Sequence, residues 1–238
     1  MPKLSAEYMI VMDPKESGRL HQWGMSVWEH DDEACKAVGR TFMKEVAWAT
    51  GKGDQFVQRE VLLKVAERWQ GSGTPRIVIE SNKTGTLTLM RDWFREHPDS
   101  PWKLYAEFSK NGLGWWSSAQ SKARAISSYI GGVKSGGILI SSRESVKQAL
   151  SYDSQEGWRV GRDASGQTHH FDLLHTHFIA ADVGKTLGWV LHRPGKIVTQ
   201  EEVREDEVIA ISEAGTQPAE YSVSEAYLEK MLGHRLRW

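Results

Sequence analysis

The sequence predicts an α/β protein in which helices flank a mixed β-sheet, with an appendage at the C-terminal end. Two observations lead there. The first fifty residues read as consecutive strands joined by polar turns, and from Asp54 onward helical periodicity alternates with short apolar runs.

The first strand is Tyr8-Met-Ile-Val-Met12, stopped by the turn signal Asp13-Pro14. A polar turn over Lys15-Glu16-Ser17-Gly18 leads to a second strand between Leu20 and Glu29. There Trp23, Met25 and Val27 alternate with Gln22, Gly24 and Ser26. A turn around His30-Asp31-Asp32 precedes a third run, Thr41 to Trp48, whose apolar positions are Phe42, Val46 and Trp48. Strands joined so closely form an antiparallel meander. Asp54 then caps a helix whose apolar positions Val57, Val61, Leu62, Val65 and Trp69 recur at helical spacing. After the break at Gly71–Pro75 comes the short strand Ile77-Val-Ile79, ending in Glu80, and then a helix over Thr84–Glu96. Pro98 and Pro101 close that helix. A strand over Lys103–Phe108, a helix over Ala119–Tyr129, a strand over Gly137–Ser141 and a helix over Arg143–Leu150 follow. A last helix spans about His169 to Val183. Beyond Leu187 the pattern changes to two pairable apolar runs, Trp189–Leu191 and Lys196–Val198, an acidic stretch and a helix over Ser222–Leu232. The division is therefore 1–186 for the main domain and 187–238 for an extension that reads as a docking element.

Composition removes several classes. The chain has 238 residues, 39% of them apolar and 26% charged, which is a globular balance and neither a disordered nor a fibrous one. No run approaches the roughly 20 apolar residues of a spanning helix, so no membrane partner is expected. No signal peptide follows Met1, which points to an intracellular protein. The lone cysteine, Cys35, excludes an internal disulfide and any multi-cysteine zinc site. With 30 basic and 31 acidic residues the net charge is -1. Nucleic acid would have to be held by a local basic patch, by metal ions or through a partner.

Three acids stand out by position. Asp13 and Glu80 each end a buried strand, and Asp172 falls in the first turn of the last helix. Carboxylates at the ends of adjacent strands converge on one sheet edge, where a packed helix can add a third. Oxygen ligands of this kind suit Mg²⁺ or Mn²⁺, and two such ions can activate water and stabilise the leaving oxygen in phosphodiester cleavage. The alternative is that each acid is a strand-end or capping residue.

The residues around these acids resemble a known family. Tyr8-Met-Ile-Val-Met-Asp13-Pro14 is similar to the first motif of the nuclease domain of the bacteriophage large terminase subunit, and Arg76-Ile-Val-Ile-Glu80-Ser-Asn82 to its second. Ser121-Lys122-Ala-Arg124-Ala-Ile126, leading through Gly136-Gly137 to Ile138-Leu-Ile140, resembles the connecting helix and strand. His169-His-Phe-Asp172-Leu-Leu-His175-Thr-His-Phe-Ile-Ala-Ala181 resembles the third motif, and order and spacing agree over roughly residues 5–185. The resemblance implies a ribonuclease H-like fold and a two-metal-ion endonuclease, dependent on Mg²⁺ or Mn²⁺, that cuts concatemeric double-stranded DNA during viral genome packaging. It also implies Asp13, Glu80 and Asp172 as catalytic metal ligands. Double-stranded DNA, a packaging ATPase, the portal and the small terminase subunit are the implied partners, in the cytoplasm of the infected host.

The sequence departs from the family pattern. Phe171 and His175 stand where the third motif often has acids; His175, one helical turn from Asp172, replaces an oxygen ligand, hydrogen-bonds a water or orients Asp172, the alternative being a histidine behind the ligands or at the surface. The packaging ATPase is absent from this chain, which reads as a domain of a longer motor or a relative without one. Gly184-Lys185-Thr186 is not the end of a phosphate loop, because Ile179 stands where that motif needs glycine. Lys83, Lys122, Arg124, Lys134 and Arg143 are the candidate DNA-binding cations, with a solvated helix face as the alternative. Trp115-Trp116 lies beside the expected DNA face, for base stacking or for packing. His169, His170, His175 and His177 lack the spacing and the cysteine partners of a zinc site, and no Gly-x-Ser-x-Gly elbow supports a serine hydrolase. Two other readings remain open: a different ribonuclease H-like nuclease such as a junction resolvase, and a non-catalytic docking module of the packaging machine.

Overall fold

The computed structural model describes residues 2–15, 22–71, 75–82, 84–107, 112–152, 161–162, 168–169 and 171–190. The chain divides into one unit, Met1–His192, and another, Arg193–Trp238, all of which lies outside the described residues.

Three strands open the chain: β1 (Glu7–Asp13), β2 (Trp23–His30) and β3 (Met43–Gly51). They form the expected antiparallel meander, with Asp13 opposite Gly24 and Trp23 opposite Gly51. β4 (Arg76–Ile79) lies parallel to β1 on its free edge, and β5 (Lys103–Leu104) lies parallel to β4. The two-residue strand β8 (Ile138–Leu139) closes the opposite edge, parallel to β3, giving the order β5-β4-β1-β2-β3-β8. Between β5 and β8 run β6 (Ala106–Glu107) and β7 (Gly112–Leu113), a separate pair; β9 (Gly161–Arg162) and β10 (Thr168–His169) form another. A three-stranded meander extended by parallel strands beyond its first member, with helices on both faces, is the mixed sheet of a ribonuclease H-like fold.

The helices are α1 (Asp32–Ala37), α2 (Gln55–Arg68), α3 (Thr84–Glu96), α4 (Ala119–Lys134), α5 (Arg143–Ser151) and α6 (Asp172–Thr186). As predicted, Asp54 caps α2, its carboxylate accepting from the backbone N–H groups of Phe56 and Val57. β1 is buried on both faces, as a covered sheet requires. Met9 and Val11 pack with α6, while Tyr8, on the opposite face, meets Trp69 at the end of α2.

Several local expectations are corrected. The His30-Asp31-Asp32 turn is instead the start of α1, capped by Asp31. β2 does not alternate inside and outside, because Gly24 and Ser26 are as buried as Trp23 and Met25. The fully buried face of β3 is Met43, Glu45, Ala47 and Ala49, with Val46 and Trp48 only half-buried. The Lys103–Phe108 run breaks at Tyr105, whose backbone N–H bonds Ile77 while its carbonyl accepts from Gly114. α4 runs five residues past Tyr129, and its Gly132 packs directly on Ile138, where a Cβ would collide. His169 belongs to β10, so α6 starts at Asp172 and ends three residues beyond Val183. The turn over residues 16–18 and every element expected beyond Val190 lie outside the described residues.

Glu45 is tolerated inside because it is paired. His177 of α6 donates from Nε2 to Glu45 Oε1 at 2.9 Å, Ser145 donates its hydroxyl to the same oxygen at 2.9 Å, and the Ser142 N–H reaches Oε2 at 3.0 Å. Burial raises a carboxyl's pKa, but His177 and these hydrogen bonds outweigh it and leave Glu45 below its ordinary value.

A carboxyl whose folded pKa lies below its unfolded one contributes stability above the unfolded value and loses it as pH falls through the folded value. Unfolding free energy should therefore decline as pH drops below Glu45's ordinary 4.5. Glu45→Gln should flatten that decline, as read by urea melts across pH. At neutral pH, Glu45→Ala should cost about 3–5 kcal/mol, the cost of breaking one side of a buried pair.

Candidate metal centre

β1 and β4 are parallel and in register, with Met12 beside Ile79, so Asp13 and Glu80 are the next neighbours across the sheet. Glu80 is fixed on both sides: its N–H bonds the Met12 carbonyl at 3.1 Å, and it bridges to Trp115 on the other edge. α6 begins over β2. Gly24, opposite Asp13, allows this approach, since a Cβ there would run into the Asp172 carbonyl. One helical turn on, His175 faces the same site.

The four side chains are almost wholly withdrawn from solvent: Asp13 is 0% exposed, Glu80 and Asp172 5% each, and His175 6%. The His175 Nδ1 nitrogen lies 3.2 Å from Asp13 Oδ2. Ligand atoms of Asp13, Asp172 and His175 all fall within 4.8 Å of one another, close enough to share one metal ion. Asp13 Oδ1 is buried and has no hydrogen-bond partner among the described residues. A buried, charged acceptor in that state requires a partner, and two carboxylates with one imidazole form a donor set that suits a divalent cation.

A fifth residue enters the cluster. Lys15, two residues past Asp13, places its ammonium 2.8 Å from Asp13 Oδ2 and 3.3 Å from Asp172 Oδ1. Burial works to raise the Asp13 pKa, yet His175 and Lys15 hold it well below the ordinary carboxylate range. Burial, with Asp13 alongside, pushes Glu80 up to about 7. Asp172 is raised as well, chiefly by burial. Lys15 is the reverse case: burial opposes its charge, but Asp13 and Asp172 hold its pKa above the ordinary value.

The structure thus brings together Asp13, Glu80, Asp172 and His175. The expected DNA-binding cations are distributed differently. Lys122, half-buried, sits in the first turn of α4. Arg124 grips Asp182 of α6 with two hydrogen bonds of 2.7 Å, and Trp115 donates its indole N–H to the same carboxylate at 2.8 Å. Lys134 lies at the exposed far end of α4, ~18 Å along the axis from Lys122. Arg143 is exposed at the start of α5, and Lys83 lies outside the described residues. Trp115 is fully buried, so it packs and does not stack on bases; Trp116 is 44% exposed. His175 and His177 point to different partners, Asp13 and Glu45.

Sequence reasoning missed Lys15, Gly24 and Asp182. Lys15 carried a signal, because a lysine two residues after a buried strand-end acid shares that acid's side of the chain. Gly24 carried none beyond its place in an apolar strand.

Among the solved structures similar to this chain are two of one domain. The Human cytomegalovirus terminase nuclease domain shares 14% identity, with a TM-score of 0.44, over 74% of this chain and 83% of that one. The same domain, soaked with manganese and bound to an inhibitor, shares 11% identity, with a TM-score of 0.46, over 76% and 84% respectively. No protein-family model matches the chain, and no curated protein matches it in sequence.

Substituting Gly24→Ala should disturb the start of α6 specifically. Backbone lies in the way of the new methyl group, so relief requires α6 to shift. A loss of about 1–3 kcal/mol is expected, seen as a melting temperature lower by a few degrees. An unchanged melting curve would show that Asp172 is not held against β2.

Proposed function

We propose that this chain is a metal-dependent endonuclease that cuts concatemeric double-stranded DNA during viral genome packaging. The observation that carries the reading is the convergence of Asp13, Asp172 and His175 within 4.8 Å at the end of β1, with Glu80 on the adjacent strand. The order and spacing of the three motifs, which resemble the terminase nuclease, support the same reading.

Asp13, Glu80 and Asp172 would hold Mg²⁺ or Mn²⁺, with His175 as a further ligand. When bound, such ions activate water and stabilise the leaving oxygen of a phosphodiester. Asp13 is central, bonded to His175 and Lys15 and beside Glu80 across the sheet, and would be the ligand common to any ion held there. His175 also bonds the Asp13 carboxylate through its Nδ1 and so fixes the orientation of that ligand. Lys122, nearest the start of α4, would position the phosphate backbone without reading its sequence. A packaging ATPase, the portal and the small terminase subunit would supply the remaining grip on DNA in the infected cell, in keeping with the chain's near-neutral charge.

Incubation with supercoiled plasmid tests the reading. Nicking and linearisation should occur with Mn²⁺ or Mg²⁺ and stop in EDTA. Asp13→Asn should lower cutting by at least about 100-fold and His175→Ala by about 10- to 100-fold. Folded wild-type protein that leaves the plasmid supercoiled in every metal would sink the proposal. Preferential cutting of four-way junctions over linear duplex would move the chain to the resolvases.

A further inference from the structure

Lys15 is held at both ends. Its ammonium lies between Asp13 Oδ2 and Asp172 Oδ1, at 2.8 and 3.3 Å. Its backbone carbonyl accepts a 2.7 Å hydrogen bond from Nε2 of Gln58, a fully buried glutamine on α2. Gln58 is itself fixed, donating to the Gly53 carbonyl at 3.0 Å and accepting from the Thr86 hydroxyl at 3.0 Å. Three elements therefore aim one lysine at two carboxylates that converge at the end of β1.

They belong to the two carboxylates that, with His175, would take a divalent ion. Mg²⁺ coordinates carboxylate oxygen at about 2.0–2.1 Å and tolerates little distortion. An ammonium bonded to the same Asp13 and Asp172 carboxylates would stand within a few ångströms of the ion, where like charges repel strongly because little water intervenes. Metal and ammonium exclude one another. A lysine suits this exchange, since its single charge rides on a flexible four-carbon stem and can withdraw. The Lys15 side chain retains 21% exposure, which leaves it a way out.

We propose that Lys15 is a built-in competitor of the divalent ion: its ammonium neutralises the Asp13 and Asp172 carboxylates from one oxygen of each and so sets the metal concentration at which the site fills. This rests on the proposed reading of the site as a metal centre. It makes Lys15 a positioning residue that acts through the two carboxylates.

Calorimetric titration of Mn²⁺ into the full chain, at fixed pH and ionic strength, tests it without recourse to cutting. Lys15→Met, which keeps the length and removes the charge, should bind Mn²⁺ at least about tenfold more tightly than wild type. Lys15→Arg, which keeps the charge, should bind no more tightly than wild type. A merely structural lysine would give the opposite sign, because damage to the site weakens metal binding. Lys15→Gln carries the same expectation as Lys15→Met and serves where circular dichroism shows that the methionine variant has not folded. Equal or weaker Mn²⁺ affinity in a folded neutral variant would overturn the inference alone. No saturable Mn²⁺ binding by any of the proteins would overturn both it and the metal centre.

Discussion

A helix buried on every side has to find a partner for each polar group it carries, and α6 is such a helix. From Asp172 to Gly184 none of its side chains reaches bulk solvent. It nevertheless carries Asp172, His175, His177 and Asp182, and these reach different parts of the molecule. Asp172 and His175 meet the end of β1. His177 bonds Glu45 on β3 beside Ser145 of α5. Asp182 takes the Arg124 guanidinium and the Trp115 indole N–H. The position of the end that carries Asp172 and His175 is thus set by pairs about one and a half and three turns beyond Asp172 on the same helix. Misplacement of α6 by even one residue would leave charges buried without partners.

The site is costly for the fold. Three carboxyl groups share a space with little water, and burial alone works to raise the pKa of each. Only Asp13 escapes, because His175 and Lys15 both face it, so the negative charge concentrates on the central residue. The rigid sheet offsets this cost. Glu80 is pinned between β1 and Trp115, so it cannot swing away from Asp13 as an acid on a loop would.

Much of this arrangement was legible in the sequence where local physics governs it. Asp54 capped α2, α3 ran from Thr84 to Glu96, and the acids ended their strands because an abrupt stop in an apolar run is a strong local signal. The start of α6 was misread because Thr168 and His169 pair with β9, a tertiary choice that helical periodicity does not register. The buried face of β3 was misread for a similar reason: Glu45 looks solvent-facing until His177, 132 residues away, is brought against it. Gly24 and Lys15 belong to the same class. Their roles exist only once Asp172 is overhead: Lys15 at least follows a strand-end acid, whereas nothing around Gly24 announces its part.

The bond between His175 and Asp13 spans 162 residues of chain. At about 5–20 residues per second on a ribosome, roughly 8–30 s separate the synthesis of its two ends. Through that interval β1 and β2 can pair, and β4 can add to them, but Asp13 and Glu80 stand without the helix that completes their cluster. A nascent chain is therefore chemically incomplete until α6 has emerged and docked. For a molecule read as a DNA-cutting enzyme, this places the onset of competence after translation of nearly all of the unit Met1–His192.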